Sequence, residues 1–131
     1  MKLKKEEKPL KSLKSRDRAL AAAHLALGKK AKDVLVLELK ALTIIADYFV
    51  ICSGESTTQV KAIADAIREG FSKNRIHALG IEGLSHGRWV LMDYGDVIVH
   101  IFDEETRAYY QLEKLWLDAP RIPVEEKGYR R

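Results

Sequence analysis

Three groups of side chains in this sequence could do chemistry: two aspartates, a short Gly-Ser segment and four histidines. Asp93 and Asp96 lie three residues apart. Paired carboxylates could hold Mg²⁺ beside a triphosphate, as a nucleotidyltransferase would require. Residues 53–56, Ser-Gly-Glu-Ser, precede a predicted helix, and the N-terminus of a helix binds phosphate readily. These two features together make a nucleotidyltransferase-like enzyme one hypothesis.

Other features argue against catalysis. Asp93 and Asp96 flank a predicted hairpin turn, where aspartate is common for conformational reasons. No closely spaced Asp-x-Asp or Asp-x-Glu follows the 53–56 segment. Glu55 would also repel a phosphate bound there. We therefore predict that the protein is not an enzyme and needs no cofactor, and we keep the nucleotidyltransferase-like enzyme as the alternative.

The histidines and the single cysteine do not form a metal-binding pattern. His24, His77, His86 and His100 show no ligand spacing with one another or with Cys52. Cys52 lies in an apolar strand, so we interpret it as a small buried side chain. One cysteine excludes a disulfide within the chain, and this composition favours a cytoplasmic location.

The most informative segment is 89–102, which predicts two strands joined by a tight turn at Tyr94 and Gly95, where glycine allows a positive φ. A two-residue loop there would place Trp89 opposite His100. Alternation then assigns one face to the core: Val90, Met92, Val97, Val99 and Ile101. The other face carries the remaining side chains: Trp89, Leu91, Asp93, Asp96, Ile98, His100 and Phe102.

The second face is unusual because it is apolar and aromatic where a half-solvated sheet would be polar. It therefore either lies under a helix or binds a partner. His100 is either a core histidine with one hydrogen bond or a contact residue, and we favour the contact. Trp89 and Tyr94 fit an interface, whereas the helical spacing of Tyr109 and Trp116 is more typical of core.

The remaining pattern places this hairpin in a mixed α/β (α+β) fold. We predict helices over 17–27, from 56 to about 72 and over 104–116, with strands over 34–39, 48–53 and 76–82 besides the hairpin. Ser56 and Gln59 have capping-box spacing, and Asp103 is a good N-cap. Pro120 and Pro123 are predicted to end regular structure. The result is a mixed five-stranded sheet with helices.

Length and charge limit the class of protein to which this chain can belong. The chain has 131 residues and a net charge of +4, with basic residues concentrated at both ends. The basic ends are either solvated tails or segments that attract RNA. No apolar run approaches the roughly 18 residues of a membrane span, so we expect no membrane contact. We predict a basic, disordered tail (1–16), one domain (17–120) and a C-terminal tail (121–131).

Several motifs in order resemble the ribosomal silencing factor family, also called the Iojap family. The resemblance is carried by Trp89, Tyr110 and these segments: 47–54, 59–65, 82–83, 93–102, 105–107 and 112–116. It implies a nucleotidyltransferase-like core without enzymatic activity. It also implies binding to the large ribosomal subunit through its fourteenth protein, a block of subunit joining that represses translation, a role in large-subunit biogenesis, and a homodimer when free.

We combine the resemblance with the residue pattern into one hypothesis for the site. Trp89 anchors the contact, surrounded by Leu91, Ile98 and His100. Four polar residues bind arginines or lysines of the ribosomal protein: Glu82, Asp93, Tyr94 and Asp96. The basic tails lie near rRNA. A general RNA-binding module that uses these tails remains a further alternative.

Overall fold

The computed structural model describes residues 14–125. Residues 1–13 of the predicted basic tail and residues 126–131 of the predicted C-terminal tail lie outside the described residues. The helices are α1 (Ser15–Gly28), α2 (Thr57–Ser72) and α3 (Glu104–Tyr110), followed by a 3-10 helix (Leu112–Trp116). The strands are β1 (Lys32–Glu38), β2 (Tyr48–Gly54), β3 (Gly80–Glu82), β4 (Trp89–Asp93), β5 (Val97–Asp103) and β6 (Arg121–Ile122).

The strands form one mixed sheet in the order β3-β4-β5-β2-β1-β6. Only β2 and β5 run parallel, and the other neighbours are antiparallel. The α+β class is confirmed, but the sheet has six strands rather than five. The sixth is β6, which lies between Pro120 and Pro123 and pairs with β1 at the sheet edge, where missing N–H groups are tolerated.

Helices α1 and α2 cover the first face of the sheet. The predicted stripe of α2 is buried throughout: Val60, Ile63, Ala64, Ile67 and Phe71. Ser56 caps this helix by accepting the Gln59 N–H at 3.1 Å, and the Gln59 Oε1 accepts the Glu55 N–H at 2.6 Å. Neither α1 nor any other described helix is long and apolar enough to cross a membrane.

The hairpin register differs from the predicted one by two residues. Tyr94 donates its N–H to Val97 at 2.9 Å, so the turn is Gly95 and Asp96, with φ of +90° at the glycine. Trp89 therefore lies opposite Phe102 rather than His100. Because side chains alternate with a period of two, this shift leaves each strand residue on its predicted face.

Two other predicted elements are shorter than expected. The strand predicted over 76–82 begins at Gly80, because Ile76 instead donates its N–H to the Phe71 carbonyl and closes the end of α2. The helix predicted over 104–116 breaks at Gln111, which has φ of +48°. This break turns the chain so that Trp116 packs edge-on against Phe49, with ring centroids 6.0 Å apart.

The second face of the sheet is a smaller core, partly covered by the segment after α3. It contains Phe49, Ile51 and Phe102, with Leu112 and Trp116 packed over it. His100 lies within it and is 4% exposed. The preference for His100 as a direct contact is therefore wrong, because this histidine is covered.

The protonation of His100 follows from this burial. Burial lowers the pKa of His100 to about 4, so the imidazole is neutral at pH 7. In the unfolded chain the same group has a pKa of 6.5. Folding is thus stabilised by this difference above pH 6.5, and the stabilisation is lost as the pH falls from 6.5 through 4.

We predict that His100→Gln flattens the acid dependence of stability. Between pH 7 and 5 the wild type should lose about 2 kcal/mol more unfolding free energy than the variant, measured by urea denaturation. The glutamine still offers an acceptor to Trp89, and His24, whose pKa burial also lowers, is common to both proteins. The exposed His77→Gln is the matched control and should keep the wild-type slope. Equal slopes for wild type and His100→Gln would contradict the assignment.

Candidate functional site

The uncovered part of the second face forms a groove of about 930 Å³ between the β3–β4 edge and α3. Trp89 and Leu91 line it from the sheet, Glu82 lies on its rim, and Tyr109 and Tyr110 form the opposite wall. The groove is therefore built mainly from β3, β4, the loop between them and α3, and Asp103 at the end of β5 and Thr57 at the start of α2 complete the lining.

Trp89 has a fixed orientation at the base of this groove. Its Nε1 donates a hydrogen bond to Nδ1 of His100 at 3.1 Å. Its ring packs against Phe102 and Tyr110, with centroids 4.7 and 5.0 Å away. The side chain is half-buried. An indole fixed on one side and exposed on the other is suited to bind a partner without losing much side-chain entropy.

The loop before β4 closes one end of the groove and depends on glycine. Gly83 has φ of +87°, and a Cβ at this position would lie 2.0 Å from the carbonyl oxygen of Trp89. Any other residue would push the loop away from β4. The loop also brings His86 and Arg88 to the groove, where His86 Nδ1 accepts the Arg88 N–H at 3.2 Å.

The tyrosine wall is exposed. Tyr109 is 79% and Tyr110 is 54% exposed, and their rings meet edge-on at 4.9 Å. The expectation that Tyr109 belongs to the core is wrong, because α3 buries no side chain at all. The signal was present in the sequence, since residues 104–110 lack an apolar stripe.

The groove carries more negative than positive charge. Glu82 and Glu105 are exposed on its two sides, and Asp103 lies between them at the start of α3. Asp103 accepts the Thr106 N–H at 2.8 Å as the helix N-cap. Among residues 14–125, Arg88 is the one arginine in the lining. This combination of carboxylates and aromatic rings suits a cationic, planar or apolar group of a partner.

The structure brings together only part of the predicted site. Glu82, Trp89 and Leu91 meet in the groove. Ile98 and His100 lie on the same face but are buried, at 8% and 4% exposed. His100 supports Trp89 from beneath through its hydrogen bond, and neither residue is available to a partner.

The three other predicted contacts lie at the far end of β4. Asp93 accepts the Gly95 N–H at 2.8 Å and stabilises the turn. Tyr94 is 8% exposed and packs against Phe71 in the core between α2 and the first face of the sheet, with ring centroids 4.7 Å apart. Tyr94 was wrongly predicted to be an interface residue, because alternation places it on the face opposite Asp93.

Asp96 also has a structural role. Its Oδ1 lies 3.7 Å from Nη1 of Arg18 on α1, and its carbonyl oxygen accepts the N–H groups of Asp47 and Tyr48. The turn is thereby tied to α1 and to the start of β2. Asp96 is oriented toward this junction and is remote from the groove.

The features considered for catalysis are likewise engaged within the fold. Ser56 accepts the Gln59 N–H in the first turn of α2, the Gln59 side chain accepts the Glu55 N–H just before the helix, and Glu55 is paired with Lys32. Within residues 14–125, no three metal-ligating side chains gather in one place. Burial raises the pKa of Cys52 to about 12, so it is not a nucleophile at neutral pH.

Comparisons with known proteins give the family. A family model described as "Ribosomal silencing factor during starvation" matches residues 12–131. The ribosomal silencing factor RsfS of Bacillus subtilis (strain 168) is 49% identical over 92 residues, which cover 70% of this chain and 78% of that protein. Mitochondrial assembly of ribosomal large subunit protein 1 from Mus musculus is 32% identical over 91 residues, 67% of this chain and 40% of that protein.

A solved structure agrees in both fold and sequence. The crystal structure of a protein from Chromobacterium violaceum superposes with a TM-score of 0.77 at 32% identity, covering 79% of this chain and 87% of that one. Since the family model covers far more than half of the sequence and a relative of similar length is nearly half identical, the chain belongs to the ribosomal silencing factor (RsfS) family.

Proposed function

We propose that the protein binds the large ribosomal subunit through its fourteenth protein and, once bound, sterically blocks joining of the small subunit. Translation is thereby repressed, and the same binding gives it a role in large-subunit biogenesis. Family membership supports this proposal, as does the large-subunit assembly role in the name of the mouse relative. The protein acts in the cytoplasm, without catalysis, and is a homodimer when free.

The observation that carries the proposal is the groove around Trp89. A half-buried indole, two exposed tyrosines and the carboxylates of Glu82 and Glu105 lie within one concave surface. Aromatic anchors supply most of the free energy of many protein interfaces. Carboxylates beside them favour arginine or lysine side chains, which are abundant in ribosomal proteins. The groove therefore fits a basic protein segment better than an RNA phosphate backbone.

We predict that the purified protein co-sediments with isolated large subunits and not with small ones. When it is added before mixing, it should also reduce the fraction of subunits that join into full ribosomes in a sucrose gradient, because the bound protein occupies the joining surface. Equal binding to both subunits would contradict the proposal, and so would large-subunit binding that leaves joining unaffected.

We predict that Trp89→Ala weakens binding to large subunits by about 2 kcal/mol, or roughly 30-fold in Kd. Trp116→Ala is a matched control, because Trp116 is also a half-buried indole of the second face but lies outside the groove. Both variants should lose some thermal stability, and only Trp89→Ala should lose this affinity. Similar Kd values for the two variants would show that the groove is not the contact.

The basic N-terminal segment is predicted to accelerate association by lying near rRNA. Deleting residues 1–13, which leaves the described body intact, should slow association at low salt and leave dissociation unchanged. The difference should vanish near 1 M salt, where the screening length is about 3 Å. Stopped-flow binding measures both rates. A deletion that abolishes binding at every salt concentration would place the tail within the contact itself.

A further inference from the structure

We propose that Arg107 is a positioning residue that holds the tyrosine wall of the groove against Trp89. The inference rests on the proposed function in one respect only, that the groove binds the ribosomal partner. Arg107 does not line the groove, and its side chain enters the junction of β1, β2 and the 3-10 helix.

Helix α3 needs such an anchor because it buries no apolar side chain. None of its seven residues is buried, and only Thr106 and Arg107 are even half-buried. Most helices in small domains are held by an apolar stripe on one face. A helix this short is also not stable by itself in water. Besides the contact of the Tyr110 ring with Trp89, polar contacts are therefore needed to fix its position on the sheet.

Arg107 makes those contacts with three separate elements. Its Nη1 donates to the carbonyl oxygen of Asp33 on β1 at 2.8 Å and to Oγ of Ser53 on β2 at 2.9 Å. Its Nε donates to Oε2 of Glu113 in the 3-10 helix at 3.2 Å. The Arg107 side chain is 12% exposed and Ser53 is 2% exposed, so the bond to Ser53 is shielded from solvent, whereas the bond to the Asp33 carbonyl oxygen is exposed.

The geometry of this cluster requires arginine. The guanidinium is planar and holds its donors in a fixed fork, so one side chain reaches β1, β2 and the 3-10 helix at once. A lysine has a single nitrogen and cannot occupy the Nε and Nη1 positions together. The acceptor on β1 is itself unusual, since Asp33 has φ of +48° within an irregular pairing of β1 and β2. This irregularity turns its carbonyl oxygen toward Arg107.

The contact with Glu113 also fixes the break after α3. Gln111, with φ of +48°, lies between Arg107 and Glu113, and its N–H donates to the Arg107 carbonyl oxygen at 2.8 Å. Arg107 thus holds both the helix and the start of the following segment. The result is that the Tyr110 ring lies 5.0 Å from that of Trp89. Without the cluster, α3 would lose its main attachment and the wall would move away.

The test uses Trp116→Phe as a background, so that Trp89 is the single tryptophan. In this background, Arg107→Met should shift the Trp89 emission to longer wavelength, increase its quenching by iodide, and raise the Kd for large subunits about tenfold. Arg107→Lys should recover the binding and the emission only in part. The exposed Arg68→Met, on α2, is the control and should change neither.

A double variant separates positioning from direct contact. Tyr110→Ala alone should weaken binding, and adding Arg107→Met should then cost little more, because both changes remove the same wall. If the fold-increases in Kd of the two single variants multiply in the double variant, the inference is overturned. An unchanged Trp89 emission in Arg107→Met would also overturn it. If Arg107→Met does not fold, Glu113→Ala, which removes one of the three bonds, should show a smaller shift of the same kind, and no shift would overturn the inference.

The emission measurement is independent of the ribosome. A wild-type protein that does not bind large subunits would overturn the proposed function. An emission shift in Arg107→Met would still support the positioning role of Arg107 in that case.

Discussion

The hydrogen bond from the Trp89 indole to Nδ1 of His100 joins the buried sheet to the candidate binding surface. It requires a neutral imidazole with a free lone pair on Nδ1, and burial of His100 keeps the ring neutral at neutral pH by lowering its pKa to about 4. The ring of His100 is in turn packed against Phe49, with centroids 4.5 Å apart. Contacts with buried residues, rather than with surface residues, therefore fix the orientation of Trp89.

The two faces of the sheet are covered differently, and this difference creates the groove. Helices α1 and α2 bury the first face, while the segment after α3 covers the second face only in part. The β3–β4 edge remains uncovered. Helix α3, none of whose residues is buried, forms one side of this opening. The Asp103 cap and the Arg107 bonds hold that helix through polar contacts, which leave its tyrosines exposed. Aromatic side chains fixed in advance lose less entropy on binding, so this construction favours affinity.

Much of the fold could be predicted because periodicity is strong where one face is buried. The stripe of α2, the two faces of the hairpin and the Asp103 cap all follow from spacing. The hairpin register could not be fixed, because a shift of two residues leaves the faces unchanged. Strand β6 was missed because two prolines flank it, and the break at Gln111 was missed because nothing local forbids a helix there.

The site was predictable only in part, for a related reason. Alternation assigns a residue to a face, and Trp89 and Leu91 were found that way, whereas Glu82 was chosen for its negative charge. It does not show which part of a face remains open, since Ile98 and His100 are covered by distant segments of the chain. Tyr94 was misplaced although alternation groups it with Val90 and Met92. The tyrosines of α3 enter the site only through a tertiary contact, that of Tyr110 with Trp89.

Site-specific photo-crosslinking tests most directly whether the groove faces the ribosome. A photoreactive phenylalanine in place of Tyr109, which is 79% exposed on the groove wall, should crosslink to the fourteenth protein of the large subunit. The same group in place of Asp65, exposed on the outer side of α2, should give no crosslink to that protein. Crosslinking from position 65 but not from 109, with co-sedimentation intact, would contradict the assignment of the groove as the ribosome-binding surface.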